Sequence, residues 1–135
     1  MKWILLFTLL ITSLMAKETT WPDLREKLDP KTKQPVKGKH ALEGKEIEIK
    51  GFMLPLDFEA KKISEFLLVP YVPSCMHVPP PPADQVIYVK MKNAAKIEPS
   101  FYPILMKGKI FSDKANFEMI ESGWKMEGLT IKEIK

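Results

Sequence analysis

Apolar and polar residues alternate strictly where the first strong element of the chain begins. In residues 46–50, Ile47 and Ile49 alternate with charged residues, which is the pattern of a strand with one buried face. Gly51 follows, and the apolar run 52–54 continues the element. A glycine at this place indicates a bulge or sharp coiling of the strand. Further runs with strand character lie at residues 66–69, 85–91 and 104–111.

The last part of the chain predicts one helix and one more strand. Residues 113–121 fit a short helix with Phe117 and Ile120 on its inner face. Residues 124–134 fit a fifth strand, whose apolar positions change from even to odd around Gly128. Such a change of parity is typical of a β-bulge.

Together these elements predict a mostly β domain. Glycines inside short strands allow a small sheet to coil and close on itself. We therefore expect an OB-like five-stranded barrel, with residues 113–121 as its one short helix. A β-sandwich or an α+β sheet is the alternative.

The first 16 residues have the layout of a signal peptide. Lys2 precedes an uncharged apolar run, residues 3–14, and Ala16 offers a small residue for cleavage before Lys17. The run is shorter than the about 20 residues that a membrane span needs. We expect a periplasmic or secreted protein, which contacts the membrane only if this leader is retained as an anchor.

Residues 17–40 predict a short N-terminal helix and a basic linker. The helix is expected over residues 22–28, with Thr20 as its cap and Pro22 in its first turn. Residues 29–40 hold two prolines and four lysines, the composition of a solvated connector. Residues 41–135 then form a single OB-like β domain.

Charge and cysteine content narrow the classes of function. Loss of the leader removes one lysine, Lys2, so the formal charge falls from +4 to +3. So small an excess does not indicate a nucleic-acid partner. The single cysteine cannot form a disulfide within the chain. In an oxidising compartment it is therefore buried, metal-bound, catalytic or paired with another molecule.

Cys75 and His77 carry the richest chemistry of the sequence. In an extended segment, residues two apart point to the same side, so a thiolate and an imidazole can converge here. The proline run that follows favours a stiff polyproline II segment, which braces the loop. We expect the surface of this loop to meet a partner through Pro79, Pro80, Pro81, Pro82, Asp84 and Gln85.

A metal site at Cys75 and His77 would take zinc or copper. A structural zinc site needs four ligands. The nearby candidates for the others are His40, Asp57, Glu59 and Asp84. Copper(I) needs fewer and softer ligands, and Cys75 with Met76, Met53 or His77 would serve. Native mass spectrometry with added zinc or copper(I) tests this, because a bound metal should be lost in Cys75→Ser.

Two further interpretations use the same residues. In the first, Cys75 is the nucleophile and His77 the base of a thiol-dependent enzyme. Such an enzyme also needs an orienting third residue and an oxyanion hole. In the second, the chain is a scaffold in which Cys75 is buried and His77 hydrogen-bonds the backbone of the loop.

Three segments resemble an uncharacterised bacterial envelope family, domain of unknown function 3299. They are Gly51–Leu56 (GFMLPL), Glu65–Tyr71 (EFLLVPY) and Cys75–Gln85 (CMHVPPPPADQ), in that order. The resemblance covers residues 41–135, with a weaker echo at 21–24. The chain departs from the family pattern at Asp84, where asparagine is common. The resemblance implies an exported protein of no established activity, with an envelope ABC-transporter component as its partner.

These observations favour a non-enzymatic accessory protein of the periplasm. Its loop at residues 75–82 is expected to contact a transition metal or a transport partner. The thiol enzyme and the scaffold remain the alternatives.

Overall fold

In the part of the chain that the structure describes, the protein is mostly β, with six strands and a few short helices. A computed structural model describes residues 17–25, 30–34, 40–57, 59–72, 79–117 and 120–134. The strands are β1 (Lys17–Thr19), β2 (Glu46–Pro55), β3 (Glu65–Val69), β4 (Ile87–Met91), β5 (Ile104–Phe117) and β6 (Ile120–Glu133). The 3₁₀ helices are Trp21–Leu24, Ala83–Gln85 and Lys92–Ala94. Within these ranges, no helix has the length and hydrophobicity to cross a membrane.

Five of the strands form a ring of hydrogen bonds. Around the ring the strand order is β2, β3, β4, β6, β5, and the pairing of β5 with β2 closes the ring. The pair β4–β6 is parallel, and the other pairs of the ring are antiparallel. β1 lies outside the ring and pairs in parallel with β2. The five strands predicted from the sequence are all present, and β1 is an addition.

β2 closes the ring by exchanging partners at Gly51. Its residues 46–51 pair with β5, and its residues 52–55 pair with β3. Buried positions continue in step through Gly51, so β2 has no bulge there. A Cβ at Gly51 would lie 2.9 Å from the ring of Trp21 and 2.9 Å from the carbonyl oxygen of Val69. Because Gly51 has no side chain, the ring of Trp21 can pack against β2 at the point where the strand exchanges partners.

The main core lies inside the ring. Alternate residues of the strands fill it, and the four methionines of β2, β4, β5 and β6 are all buried. They are Met53, Met91, Met106 and Met126. A smaller cluster on the outside joins Leu67, Val69 and Val86 to the partly buried Phe117 and Ile120. Both faces of β3 are thus covered, which explains its unbroken apolar sequence.

The helix predicted over residues 113–121 is wrong. Residues up to Phe117 continue β5, and β6 begins at Ile120, directly opposite Phe117. Phe117 and Ile120 are three residues apart, which is also the spacing of neighbours on a helix face. In the protein the same two side chains meet across a hairpin, and both pack on the outer cluster.

The bulge predicted in β6 is confirmed. Lys107 pairs with Thr130, whereas the next residue, Gly108, pairs with Gly128. Leu129 is thereby left without a partner in the ladder. The extra residue moves the less exposed positions of β6 from even to odd numbers, since Leu129 and Ile131 are half-buried whereas Thr130 is exposed.

The predicted N-terminal helix is reduced to one 3₁₀ turn. It spans Trp21–Leu24, and residues 26–29, where the predicted helix would end, lie outside the described residues. Thr20 donates its backbone N–H and its hydroxyl to Asp23 Oδ2, both at 2.9 Å. The carbonyl oxygens of Trp21 and Leu24 accept side-chain donors from Gln85 and Trp124. Gln85 belongs to the second 3₁₀ helix and Trp124 to β6, so both elements hold the N-terminal turn in place.

Candidate binding surface

Cys75 and His77 lie outside the residues that the structure describes, which stop at Val72 and resume at Pro79. Their roles as metal ligands, or as nucleophile and base, therefore stay predictions. Among the described residues, no three His, Cys, Asp or Glu side chains are grouped to hold a metal ion. The site is therefore described through the two segments that border the loop.

Tyr71 joins the two ends of this loop. Its Oη donates a hydrogen bond to the carbonyl oxygen of Pro79 at 3.2 Å. Tyr71 is 37% exposed and Val72 is 44% exposed. The bond fixes the distance between the points at which the chain enters and leaves the loop, and it leaves an aromatic and an aliphatic surface beside the prolines.

The prolines and the turn after them, residues 79–85, form what we call the proline segment. Pro79, Pro80 and Pro82 are exposed, whereas Pro81 is buried. Pro82 has φ −64° and ψ 158°, which is polyproline II geometry. The exposed rings therefore stand on a segment whose backbone has few other conformations available.

Gln85 anchors the proline segment to the rest of the protein. It is 93% buried, since its exposed fraction is 7%. Its Nε2 donates to the carbonyl oxygen of Trp21 at 2.9 Å and to that of Asp84 at 3.0 Å. The sequence predicted Gln85 on the contact surface; the structure places its side chain in the interior, where it holds the segment against the N-terminal turn. Asp84 is half-buried.

Gly123 provides a second anchor. A Cβ at Gly123 would lie 2.8 Å from the carbonyl oxygen of Ala83. The missing side chain thus lets the backbone of the proline segment lie directly on β6. This contact and the hydrogen bonds of the Gln85 side chain together hold the segment in place.

Two of the other proposed zinc ligands, Asp57 and His40, accept hydrogen bonds from the local backbone. Asp57 Oδ1 accepts the backbone N–H of Glu59 at 3.0 Å, and this is a local turn contact. His40 Nδ1 accepts the backbone N–H of Leu42 at 3.1 Å. The His40 ring stands edge-on to Trp124, with 4.9 Å between centroids. Its Nε2 is buried and has no hydrogen-bond partner among the described residues.

Both the sequence and the fold have counterparts among known proteins. A model of a family described as a protein of unknown function, DUF3299, matches residues 11–133. The chain belongs to the DUF3299 family. It is also similar to a DUF3299 family protein from Pseudomonas aeruginosa PAO1, with a TM-score of 0.67 and 27% sequence identity over 89% of this chain and 97% of that one. No match is found among curated proteins.

The DUF3299 assignment confirms the family that the sequence segments resemble. Two of those segments can be read in the structure. Residues 51–56 cover the point where β2 exchanges partners, and residues 65–71 comprise β3 and the tyrosine that ties the loop. The described part of the third segment is the proline segment. The residues that resemble the family thus form the exchange point of β2, strand β3 with Tyr71, and the proline segment.

Among the described residues, Tyr88 has a strongly raised pKa. Its Oη donates to Glu65 Oε2 at 2.6 Å, and its ring lies 5.0 Å from that of Phe117. Burial first, and then the hydrogen bond and negative charge of Glu65, raise the pKa of Tyr88 to about 12. Neutral Tyr88 is therefore favoured by the fold.

Replacing Glu65 with Gln should lower the pKa of Tyr88 from about 12. The neutral amide removes the charge that opposes tyrosinate, while burial still keeps the pKa above its ordinary value of about 10. In the wild type this interaction stabilises the fold below about pH 10 and is lost as the pH rises toward about 12. Tyrosinate absorbance against pH measures the shift. Tyr71→Phe and Tyr102→Phe assign the signal, and an unchanged Tyr88 titration in Glu65→Gln would contradict the account.

Three contacts of the site were not predicted from the sequence. They are the bond of Tyr71 to Pro79, that of Gln85 to Trp21, and the approach of Ala83 to Gly123. The bond between Gln85 and Trp21 joins residues 64 positions apart. Nothing in local periodicity reports such a pair. The only signal was indirect: a tryptophan, a glutamine and a glycine at the ends of otherwise regular elements.

Proposed function

We propose that this DUF3299 protein is an exported, non-enzymatic binding module of the cell envelope. Its contact surface consists of Tyr71, Val72 and the exposed prolines Pro79, Pro80 and Pro82. The loop with Cys75 and His77 lies between them in the sequence. The partner is a protein, and an envelope ABC-transporter component is the class that the family resemblance suggests.

The observation that carries this proposal is the anchoring of the proline segment. Three proline rings are exposed on a backbone fixed by Gln85 and by the contact at Gly123. A surface that is already ordered loses little conformational entropy when a partner binds. Proline-rich polyproline II segments are recognised by aromatic-lined grooves for the same reason. Rigid, exposed and partly apolar surfaces of this kind suit protein recognition.

We further propose that the ring of strands is an OB-like barrel. Five strands with one parallel pair, β4–β6, closed by the pairing of β2 with β5, agree with that architecture. OB folds bind oligonucleotides on the outer face of their second and third strands. Here the corresponding strands are β3 and β4, and Phe117 and Ile120 cover their outer face. This favours a partner other than single-stranded nucleic acid, and that partner binds at the proline segment.

Site-specific photocrosslinking in the host envelope tests the contact surface. A photoreactive residue in place of Pro80 or Pro82 should form an adduct with one partner protein. The same residue in place of the exposed Thr130 of β6, which lies outside the surface, should not. Mass spectrometry of the adduct identifies the partner and decides whether it is a transporter component.

A matched pair of charge variants decides whether the adduct depends on the surface. Val72→Asp places a carboxylate among the exposed apolar groups and should reduce the Pro80 adduct by about tenfold, a loss of about 1.4 kcal/mol in binding. Thr130→Asp adds the same charge elsewhere and should leave the yield unchanged. Equal adducts at Pro80 and Thr130, no adduct at Pro80, or a yield insensitive to Val72→Asp would overturn the proposal. Fast alkylation of Cys75 with a strongly depressed thiol pKa would instead support the thiol enzyme.

A further inference from the structure

A groove of about 600 Å³ opens on β4, β5 and β6, and none of its lining residues belongs to the proline segment. Three lysines line it, Lys90, Lys92 and Lys125, together with the aromatic ring of Phe111 and the acids Asp113 and Glu127. It combines a charged rim and an apolar wall in one concave surface, as small-molecule sites do. Neither the family assignment nor the proposed function uses it.

The strand register brings these residues to one face. Lys90 of β4 lies opposite Glu127 of β6, and Phe111 of β5 lies opposite Lys125 of β6. The alternating burial of the three strands points Lys90, Lys125 and Phe111 away from the main core. Neighbouring strands are about 4.8 Å apart, so the groups are within reach of one ligand.

The lysines of the groove are available for a ligand. Two lysine–carboxylate pairs of the described residues, Lys50 with Glu18 and Lys107 with Glu46, lie outside the groove. Lys90, Lys92 and Lys125 form no ion pair with the described carboxylates. Three ammonium groups against two carboxylates give the groove a net charge of +1. Its electrostatics therefore favour an anion.

The turn at one end of the groove has an unusual backbone. Asn93 has φ 58° and ψ 26°, and Ala94 has φ 51°. Asparagine tolerates this left-handed region, but alanine adopts it rarely. Met91 N–H donates to the carbonyl oxygen of Ser64 at 2.8 Å and holds the turn at its start. Backbone held in such conformations is found preferentially at ligand sites.

We propose that this groove binds a small organic anion. Its phosphate or carboxylate group lies among the ammonium groups of Lys90, Lys92 and Lys125, and its apolar part lies against Phe111. Ammonium groups bind phosphate as point charges through charge-assisted hydrogen bonds. The phosphate can belong to a free ester or to a lipid headgroup.

Titration of the purified protein with dodecyl phosphate below its micelle concentration tests the groove. Backbone amide resonances of Asn93, Ala94 and Phe111 should shift in a saturable way. The double variant Lys90→Gln, Lys125→Gln should bind about tenfold or more weakly, because two charge-assisted hydrogen bonds are lost. Lys107→Gln with Lys109→Gln removes the same charge from β5 outside the groove lining and should bind as the wild type does.

Two arms distinguish the sources of the anion. Glycerol 3-phosphate represents a free ester, and phosphatidylglycerol vesicles represent a lipid headgroup, with phosphatidylcholine vesicles as the reference. Binding in either arm supports the groove if the Lys90→Gln, Lys125→Gln variant loses it and the control variant retains it. The arm in which binding occurs identifies the source of the anion. Shifts that are scattered over the surface, equal losses in the two double variants, or no binding of any of these probes would overturn it.

Discussion

Gly108→Ala is expected to destabilise the fold by about 3 kcal/mol, at the upper end of what overpacking usually costs. A Cβ at this position would overlap the carbonyl oxygen of Glu127 and lie 2.7 Å from Met126 Cγ. That carbonyl belongs to the β6 backbone, which is held by the ladder with β5. The strands must separate to admit the methyl group, so the cost falls on hydrogen bonds as well as on packing. Urea unfolding, followed by circular dichroism, measures the loss.

Gly128→Ala is the matched control, because Gly128 lies opposite Gly108 at the same register shift. Its Cβ would meet Met91 Sδ at 2.6 Å and Met106 Cε at 2.7 Å. These are the ends of flexible side chains, which can move aside. We expect a loss of about 1 kcal/mol there. A Gly128→Ala protein less stable than Gly108→Ala would show that side-chain crowding, and not the backbone contact, sets the cost.

The strands were predictable because each carries a pattern that tertiary structure does not alter. Ile47 and Ile49 alternate with charged residues, and that alternation remains their burial pattern in β2. The parity change around Gly128 reports the bulge directly, since one extra residue always reverses which face is buried. β1 was missed because its three residues, Lys17–Thr19, are too few to show a period.

The hairpin of β5 and β6 was mispredicted for a reason of geometry. A spacing of three residues places two apolar side chains together on a helix and also across a tight hairpin. Phe117 and Ile120 satisfy both arrangements. What decides between them is the outer cluster of Leu67, Val69 and Val86, which lies far away in sequence and offers the hairpin an apolar surface. Local pattern cannot contain that information.

Part of the candidate surface was predictable from the sequence, and part depends on tertiary contacts. The proline run predicts a stiff segment from residue type alone, since proline fixes its own φ. Which prolines are exposed depends on the anchors at Gln85 and Gly123, both set by distant partners. The groove around Lys90 and Lys125 was not predicted either, because the strand register creates it and the residues are scattered in sequence.

Trp124→Ala is expected to cost about 3–5 kcal/mol, the usual range for removing a large buried aromatic side chain. The side chain is only 4% exposed. Its Nε1 donates to the carbonyl oxygen of Leu24 at 3.2 Å, and its ring packs against His40. The substitution leaves a cavity and an unsatisfied carbonyl in the N-terminal turn. Because Gln85 bonds to that turn through Trp21, the proline segment should loosen as well, which faster amide exchange at Gln85 would report.

Trp124→Phe separates packing from hydrogen bonding. It keeps an aromatic ring in the core and loses the donor to Leu24, so we expect a loss of about 1–3 kcal/mol. Trp21→Phe is the matched control: Trp21 also donates its indole N–H to a backbone carbonyl, that of Lys50 at 2.7 Å, but it is only half-buried. It should cost less than Trp124→Phe, since water can reach its vacated acceptor more readily. If Trp124→Ala stays within about 1 kcal/mol of the wild type, the N-terminal turn is not held by this tryptophan, and the proline segment must be fixed by Gly123 and Gln85 alone.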